Sequence, residues 1–353
     1  MRKITRVLVA LLIGLSTVYA EKVADLPDVI RPASINLGIN SVYITDQAAI
    51  HLYSLEPFKQ IKTFGVQGQG PGEFNSTPSL KVYPERLFIN CLGKIMRFTH
   101  DGEFVEQKSL PFRLFHFYYP ILQVGLNYVA FPMIFSSEEN EIIHFGKIYD
   151  SELKELKVFY KGSRPQVPPP PRADAPPQKI RWEVIPDCVD FDVTEDKIFV
   201  ADSRKGFYIG VFDAQGNLLY EIDKEHDKVK VPKSFKSEYM KQRERSDNWD
   251  QLKARFDYVF KDHYPAFFTV KLADAKIYAV TYAKKGGQYE LVEMDLKGKT
   301  LSRSFSFPLD KGKRIMQGLV PYGNEFDIHK RYIYYLTYND DTSWYELHRA
   351  RIQ

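Results

Sequence analysis

Cysteine is almost absent from this sequence of 353 residues, which contains only Cys91 and Cys188. No C-x-x-C spacing occurs, and both a thiol redox motif and a cysteine-based zinc site need that spacing. The two cysteines fall in different, non-adjacent repeats of the pattern described below. We therefore expect two separate buried thiols, with a disulfide in an oxidising compartment as the alternative.

An excess of charge of one sign is also absent once the N-terminus is set aside. The formal net charge is +4, but Arg2, Lys3 and Arg6 lie in the first 20 residues, where no acidic residue occurs. Without these three, 46 basic residues face 45 acidic ones. The sequence therefore gives no electrostatic argument for a nucleic-acid partner, and none is predicted.

Long hydrophobic runs are lacking too, apart from residues 7–15. That run is shorter than the roughly 20 residues of a membrane-spanning helix, and the small residues around Ala20 suit a signal peptidase. We predict a signal peptide over residues 1–20, cleaved after Ala20, and a periplasmic or secreted mature chain without a membrane span. An uncleaved anchor is the alternative. No cysteine stands at the cleavage point to receive a lipid.

A short β-rich run recurs six times along the rest of the chain and is the strongest signal in the sequence. A second strand-like run precedes each copy, and a third and usually a fourth follow it, so each repeat should hold four strands. Between the third and fourth runs stands a turn rich in Asp, Gly or Pro. The copies begin at Val42, Leu87, Tyr128, Ile198, Ile277 and Ile333. The turns are Glu56-Pro57, Asp101-Gly102, Asp150-Ser151 and residues 213–217 and 296–298.

The spacing of these copies predicts an all-β fold, a six-bladed β-propeller with four-stranded antiparallel blades. Successive copies start 45, 41, 70, 79 and 56 residues apart, and one blade takes about 40–50 residues. The last repeat ends at Gln353 with room for only three strands. We expect the N-terminal segment to supply the missing outer strand, which closes the ring and leaves one domain over residues 21–353.

Two insertions account for the long intervals. Residues 164–178 carry seven of the 21 prolines, which predicts an extended loop without ladder hydrogen bonds. This loop is interpreted as a solvated spacer, with recognition by an aromatic groove of a partner as the alternative. Residues 224–262 form a helical insertion that packs on the propeller as a lid or buttress. Its apolar stripe consists of Trp249, Leu252, Phe256, Val259 and Phe260.

The crossover between the first two repeats carries a family resemblance. Residues 62–74 read KTFGVQGQGPGEF, with Gly65, Gly68 and Gly70 ahead of a Phe74 that we expect to be buried. Together with the run that begins at Ile198, this segment resembles the NHL-like six-bladed β-propeller family of exported bacterial proteins. The resemblance covers the chain from about Ala33. It implies binding at one end of the central channel, and in some relatives lyase, lactonase or peptide-processing chemistry with a metal there.

Catalytic motifs are missing. The eight histidines form no HxH or HExxH pattern, and no GxSxG occurs. His329 on a predicted inner strand, and Asp46 and Asp202 at strand ends, are candidates for the channel mouth, but a structural role is the favoured interpretation of each. The sequence therefore predicts no catalytic residue, no metal ligand and no cofactor.

These features favour a monomeric binding or scaffold module of the cell envelope, with a protein, glycan or peptide at the channel mouth. Candidate ligand-binding residues are exposed aromatic and basic side chains in loops. They are Arg181, Trp182, Arg204, Lys205, Tyr264 and Tyr322. The alternatives are a propeller enzyme, a lyase or hydrolase of a glycan or peptide with a metal in the channel, and a purely structural partner in an envelope complex.

Overall fold

Six antiparallel sheets form a six-bladed β-propeller in the computed structural model. The structure describes residues 20–110, 120–136, 141–165, 179–307 and 326–353. Residues 1–19 of the predicted signal peptide, most of the proline-rich loop and Tyr322 lie outside these residues. The predicted fold class is confirmed, and each of the six recurring runs forms the second strand of a blade.

The strands follow the chain from blade 1 to blade 6, and each blade begins at the central channel. Blades 1 and 2 contain β2 (Pro32–Leu37), β3 (Ser41–Asp46), β4 (Ala49–Ser54), β5 (Lys59–Phe64), β6 (Ser79–Tyr83), β7 (Arg86–Cys91), β8 (Lys94–Phe98) and β9 (Phe104–Ser109). Blades 3 and 4 contain β10 (Leu122–Val124), β11 (Asn127–Ala130), β12 (Met133–Ser136), β13 (Glu141–Tyr149), β14 (Glu155–Pro165), β16 (Val189–Val193), β17 (Lys197–Asp202), β18 (Phe207–Asp213) and β19 (Leu218–Lys224). Blades 5 and 6 contain β21 (Thr269–Ala273), β22 (Lys276–Lys285), β23 (Gln288–Asp295), β24 (Thr300–Phe307), β25 (Phe326–His329), β26 (Tyr332–Asn339) and β27 (Trp344–Arg351).

The N-terminal strand β1 (Glu21–Leu26) closes the ring, as predicted. It pairs antiparallel with β27, with Leu26 opposite Tyr345, and so becomes the outer strand of blade 6. Leu26 is only 1% exposed and belongs to an apolar cluster that joins blades 6 and 1 through Ile35 and Leu347. The strand therefore adds both a hydrogen-bonded edge and core contacts to the last blade.

The core is divided into apolar layers between neighbouring blades. One cluster joins blades 2, 3 and 4, and others join blades 4 and 5, 5 and 6, 6 and 1, and 1 and 2. The second and third strands supply most of these side chains because they are covered on both faces, which explains their nearly continuous apolar sequence. Cys91 and Cys188 form no disulfide and are both buried, in different layers, as expected.

The helical insertion differs from the prediction in its second half. Two helices, α1 (Lys233–Glu244) and α2 (Trp249–Arg255), are followed by a strand, β20 (Phe256–Val259), which pairs in parallel with β15 (Ile180–Glu183). The predicted helical stripe is therefore wrong beyond residue 255. The aromatic and β-branched side chains there suit a strand, and β15, which lies far away in sequence, supplies the hydrogen-bond partner. Neither helix is long and apolar enough to cross a membrane, and the same holds for every helix in the described ranges.

Two further details correct the sequence interpretation. Blade 3 has five strands because β12 and β11 both pair with β13, at different parts of its length. The proline-rich segment begins inside a strand, since Arg164 and Pro165 end β14 opposite Ile142 and Glu141. Pro165 lies on an edge strand, where its missing N–H removes no hydrogen bond from the sheet.

Turn glycines set the distance between neighbouring blades. Gly102, Gly216 and Gly298 occupy equivalent turns between third and fourth strands, all with positive φ. A Cβ atom added to each would lie 2.4 to 2.7 Å from a side chain of the preceding blade, namely Phe64, Phe159 and Ile222 in that order. The recurring turn therefore needs glycine for its backbone conformation and for close packing.

Replacement of Gly298 tests this packing against a matched control. Gly286 also has positive φ, but its added Cβ would meet nothing within 4 Å. We expect Gly286→Ala to lower the free energy of unfolding by about 1–2 kcal/mol through backbone strain alone. Gly298→Ala adds a collision with Ile222 and should cost a further ~1–3 kcal/mol. Urea unfolding of both variants measures the difference, and equal losses would contradict the packing role.

Candidate functional site

The first strands of all six blades enclose a central cavity of about 430 Å³. Strands β6, β16 and β21 line it along their whole length, whereas β25 contributes three residues, β2 two and β10 only Leu122. The cavity reaches the face of the propeller that carries the turns between first and second strands, which we name the turn face. Asp274 and Ala275, at one of these turns, form part of its wall. The opposite face carries the crossovers between blades, including the helical insertion.

Five charged side chains from the middle of the inner strands line this cavity. Asp190 and Asp192 lie on β16, Asp327 on β25, Lys81 on β6 and Lys271 on β21. Residues two apart in a strand share a face, so the sequence Val-Asp-Phe-Asp-Val places both β16 carboxylates on one side. The valines and the phenylalanine of this run pack into the core between blades.

The aspartates bind backbone groups of the next blade. Asp192 Oδ2 accepts a hydrogen bond from the Leu272 amide at 3.1 Å, which ties blade 4 to blade 5. Asp327 Oδ2 accepts one from the Leu37 amide at 2.7 Å, which ties blade 6 to blade 1. An inner strand has no further strand beside it, so these carboxylates satisfy amides that the ladder leaves open.

Asp190 makes the same kind of link with neutral donors only. Its Oδ2 atom accepts hydrogen bonds from the Thr269 hydroxyl at 3.2 Å and the Val270 amide at 3.4 Å. Its Oδ1 atom accepts from the adjacent amide of Phe191. Burial raises the pKa of Asp190 to about 6, and the negative charge of Asp192 adds to this rise against the effect of the hydrogen bonds.

The other two aspartates are paired with lysines. Lys81 Nζ lies 2.5 Å from Asp192 Oδ1, so this pair connects blade 2 to blade 4 across the channel. Lys271 Nζ donates to the Phe326 carbonyl at 2.5 Å and lies 3.7 Å from Asp327 Oδ1. Burial lowers the pKa of Lys271, while Asp327 and the other channel carboxylates oppose that change.

His329 lines the cavity at the turn face, where it has structural partners. Its Nε2 atom donates to the Ile39 carbonyl at 3.0 Å, and its Nδ1 atom lies 3.6 Å from Asp274 Oδ1. Asp274 also accepts from the Lys330 amide at 2.6 Å. The hydrogen bond from His329 lowers the pKa of Asp274. This contact chain joins the turns of blades 5, 6 and 1.

Asp46 and Asp202 lie between blade strands and loops, and neither lines the cavity. Asp46 accepts hydrogen bonds from the amides of Ile30 and Arg31, the segment that leads into blade 1, at 2.7 and 2.8 Å. Asp202 is paired with Arg204 and accepts from the Tyr160 hydroxyl, which joins blades 3 and 4. The contacts of both aspartates are therefore structural.

Most of the predicted ligand-binding residues are engaged in packing. Arg204 holds Asp202, and Lys205 Nζ lies 4.2 Å from the centre of the Tyr208 ring. Trp182 packs edge-on against Phe256 of the helical insertion. None of these residues lines the cavity.

Tyr264 also belongs to the insertion, and its ring stacks on Tyr282 with centroids 4.5 Å apart. Arg181 is exposed and lies 3.7 Å from Glu183. Tyr322 lies outside the described residues. The ligand-binding role of all six stays a prediction. The insertion packs through Phe235 and Tyr239 of α1 against Tyr282 of blade 5 and against Val184 and Ile185 in the segment that leads into blade 4.

Sequence reasoning missed the charged inner strands. A signal was present, because Lys81, Asp190, Asp192, Lys271 and Asp327 all interrupt otherwise apolar first strands. Binding residues usually lie in loops and at strand ends, and the sequence pattern favoured those positions. In a propeller the middle of the first strand also faces the channel.

Metal-binding geometry is not found in the described ranges, where no group of three His, Cys, Asp or Glu side chains is arranged to hold an ion. The cavity instead presents separate carboxylates, each occupied by amide, hydroxyl or ammonium donors. It is suited to recognition of a polar ligand through these groups.

Comparison with known proteins leaves the chain without an assigned family. No family model and no curated protein matches it. Among solved structures, the β-propeller domain of Cps50 (Swd1) from Myceliophteria thermophila is 8% identical with a TM-score of 0.40, covering 92% of this chain and 97% of its own. Hsv2 of Kluyveromyces lactis is 11% identical with a TM-score of 0.33, covering 92% and 99%. The fold assignment rests on the six sheets themselves.

Replacement of Asp190 and of Asp192 by asparagine should change the free energy of unfolding in opposite directions. The pKa of Asp190 lies above its usual value of 3.8, so the folded state binds more protons than the unfolded state between about pH 4 and 6, and stability falls as pH rises through that window. Asp190→Asn should remove this fall and raise stability at pH 7 by up to roughly 3 kcal/mol. Asp192→Asn leaves Lys81 unpaired and should cost about 1–3 kcal/mol.

Denaturant unfolding from pH 4 to pH 8 checks both expectations, since only Asp190→Asn should flatten the pH profile between pH 4 and 6. A loss of stability at pH 7 in Asp190→Asn, comparable to that in Asp192→Asn, would show that the Asp190 charge supports the fold.

Proposed function

We propose that this protein is an exported ligand-binding propeller of the cell envelope, acting as a monomer and related to the NHL-like propellers. The observation that carries the proposal is the central cavity. Its volume of about 430 Å³ falls within the range of roughly 300–1,000 Å³ typical of small-molecule sites. Apolar walls with a few fixed charged groups are also typical of such sites.

The two faces of the propeller have different roles in this proposal. A ligand enters from the turn face, where Asp274 and Ala275 border the cavity and are exposed. The crossover face carries the helical insertion, which offers a surface to a protein or a glycan. No observation in the described residues favours the alternative of a metal-dependent lyase or hydrolase, so we do not propose it.

Export is proposed from the leader and its position relative to the first blade strand. Strand β1 begins at Glu21, directly after the predicted cleavage site. Cleavage there keeps every residue of β1 that pairs with β27. The processed chain therefore retains the strand that closes the ring.

Processing after Ala20 can be measured directly. We expect the protein expressed with its leader in a Gram-negative host to appear in the periplasmic extract with Glu21 as its first residue. Intact-mass and N-terminal peptide analysis give the answer. A Cys-free leader that remains attached, with the protein in the membrane fraction, would contradict cleavage and favour the anchor.

Blocking the turn face should abolish small-molecule binding. Ala275→Trp places a large ring at an exposed position of the cavity mouth, whereas Leu126→Trp places the same ring on the exposed turn of blade 3, outside the cavity wall. Fragments that bind the unmodified protein in a ligand-observed NMR screen should bind Leu126→Trp equally and Ala275→Trp at least tenfold more weakly. Equal binding to both variants would place the ligand elsewhere, and a screen without a binder to the unmodified protein would also contradict the proposal.

A further inference from the structure

We propose that the channel binds an organic ammonium ion, with the ligand's charged nitrogen against Asp190. This inference rests on the proposed function of the cavity and names the class of ligand. Its starting point is an imbalance of charge within the inner strands, which hold three carboxylates and only two ammonium groups at the centre of the cavity.

Both lysines of the channel already have acidic partners. Lys81 is held by Asp192, and Lys271 is held between the Phe326 carbonyl and Asp327. Asp190 has only hydroxyl and amide donors, and in the described part of the chain no cation lies within ion-pair distance of it. One further positive charge would balance the site.

The charges around Asp190 come from every strand packed near it. Its own strand contributes Asp192, β21 contributes Lys271, and β6 and β25 contribute Lys81 and Asp327 across the channel. Strand β10, the inner strand of blade 3, lines the cavity only with the apolar Leu122. The sum of these groups with Asp190 is negative.

The mouth of the cavity adds to this negative potential. Glu195 and Asp274 both line it at the turn face, and Lys276, the lysine beside them, is paired with Glu293 at 2.5 Å. Acidic groups at the entrance of a narrow channel attract cations and repel anions. A ligand that enters from the turn face is therefore selected for positive charge.

Apolar side chains of the cavity wall define the rest of the ligand. Val82 and Leu272 belong to this wall and are only partly buried, so they suit an aliphatic or aromatic body rather than a bare ion. A divalent metal would need several oxygen ligands at one point, which the carboxylates of the described residues do not provide. A single carboxylate beside apolar walls fits an ammonium group with a hydrocarbon body.

The protonation of Asp190 also predicts that ligand affinity depends on pH. The pKa of Asp190 is raised to about 6, so the carboxylate is ionised at pH 7.5 and largely protonated at pH 5. An ammonium ligand needs the ionised form, and its dissociation constant should rise up to about tenfold for each pH unit below 6.

The experiment compares three probes of similar shape and different charge by isothermal titration calorimetry at constant ionic strength. They are 2-phenylethylamine, 2-phenylethanol and 3-phenylpropanoate. We expect saturable binding of the amine at pH 7.5 and binding of the other two at least tenfold weaker. Asp190→Asn should weaken amine binding at least tenfold and remove its pH dependence. The control Asp196→Asn removes an exposed carboxylate outside the cavity wall and should change neither.

The outcomes separate this inference from the proposed function. Amine binding that is the same in Asp190→Asn and in the unmodified protein overturns the ammonium site. Preferential binding of the alcohol or the carboxylate, lost in Ala275→Trp, overturns it as well but supports a channel with another ligand class. Amine binding that survives Ala275→Trp places the amine outside the channel and contradicts both. A thermal melt of each variant shows that a lost signal is not lost folding.

Discussion

The pairing of β1 with β27 is the interaction on which the rest of the structure depends. Five of the six contacts between neighbouring blades join segments that follow one another in the chain, but the sixth joins the two ends. A blade buries its apolar side chains only against two neighbours, so an open ring would expose one layer on each side of the gap. The register from Glu21 to Leu26 closes that gap at the low entropic cost of ordering one short strand.

Closure also explains why the channel carries charged side chains. Most apolar side chains pack between blades, and the first strand of each blade is left with an edge that faces the axis. Amides on such an edge need acceptors when water is excluded. Asp192 and Asp327 supply them for Leu272 and Leu37, and the lysines then neutralise the carboxylates. The charged channel is thus a consequence of the ring geometry as well as a candidate binding surface.

The fold was largely predictable from the sequence because each blade repeats the same requirements. The second strand must be apolar on both faces, and the turn before the fourth strand must fit beside the previous blade, as Gly298 does beside Ile222. The candidate site was less predictable. Lys81 and Asp192 are far apart in sequence, and only the ring brings them together. The local spacing predicts a helix at Phe256, because its strand partner, β15, is equally distant in the sequence.

Asp190 differs from the other channel aspartates in what its charge contributes to the fold. Asp192 and Asp327 hold lysines, so their charges offset a second buried charge. The contacts of Asp190 with Thr269 and Val270 require an acceptor oxygen, which an asparagine side chain also offers. Its negative charge therefore raises the free energy of the folded state, because the attraction of Lys271 offsets its burial only in part. A cationic ligand is the partner that would make this charge favourable, which is why stability and ligand affinity should change in opposite directions when the charge is removed.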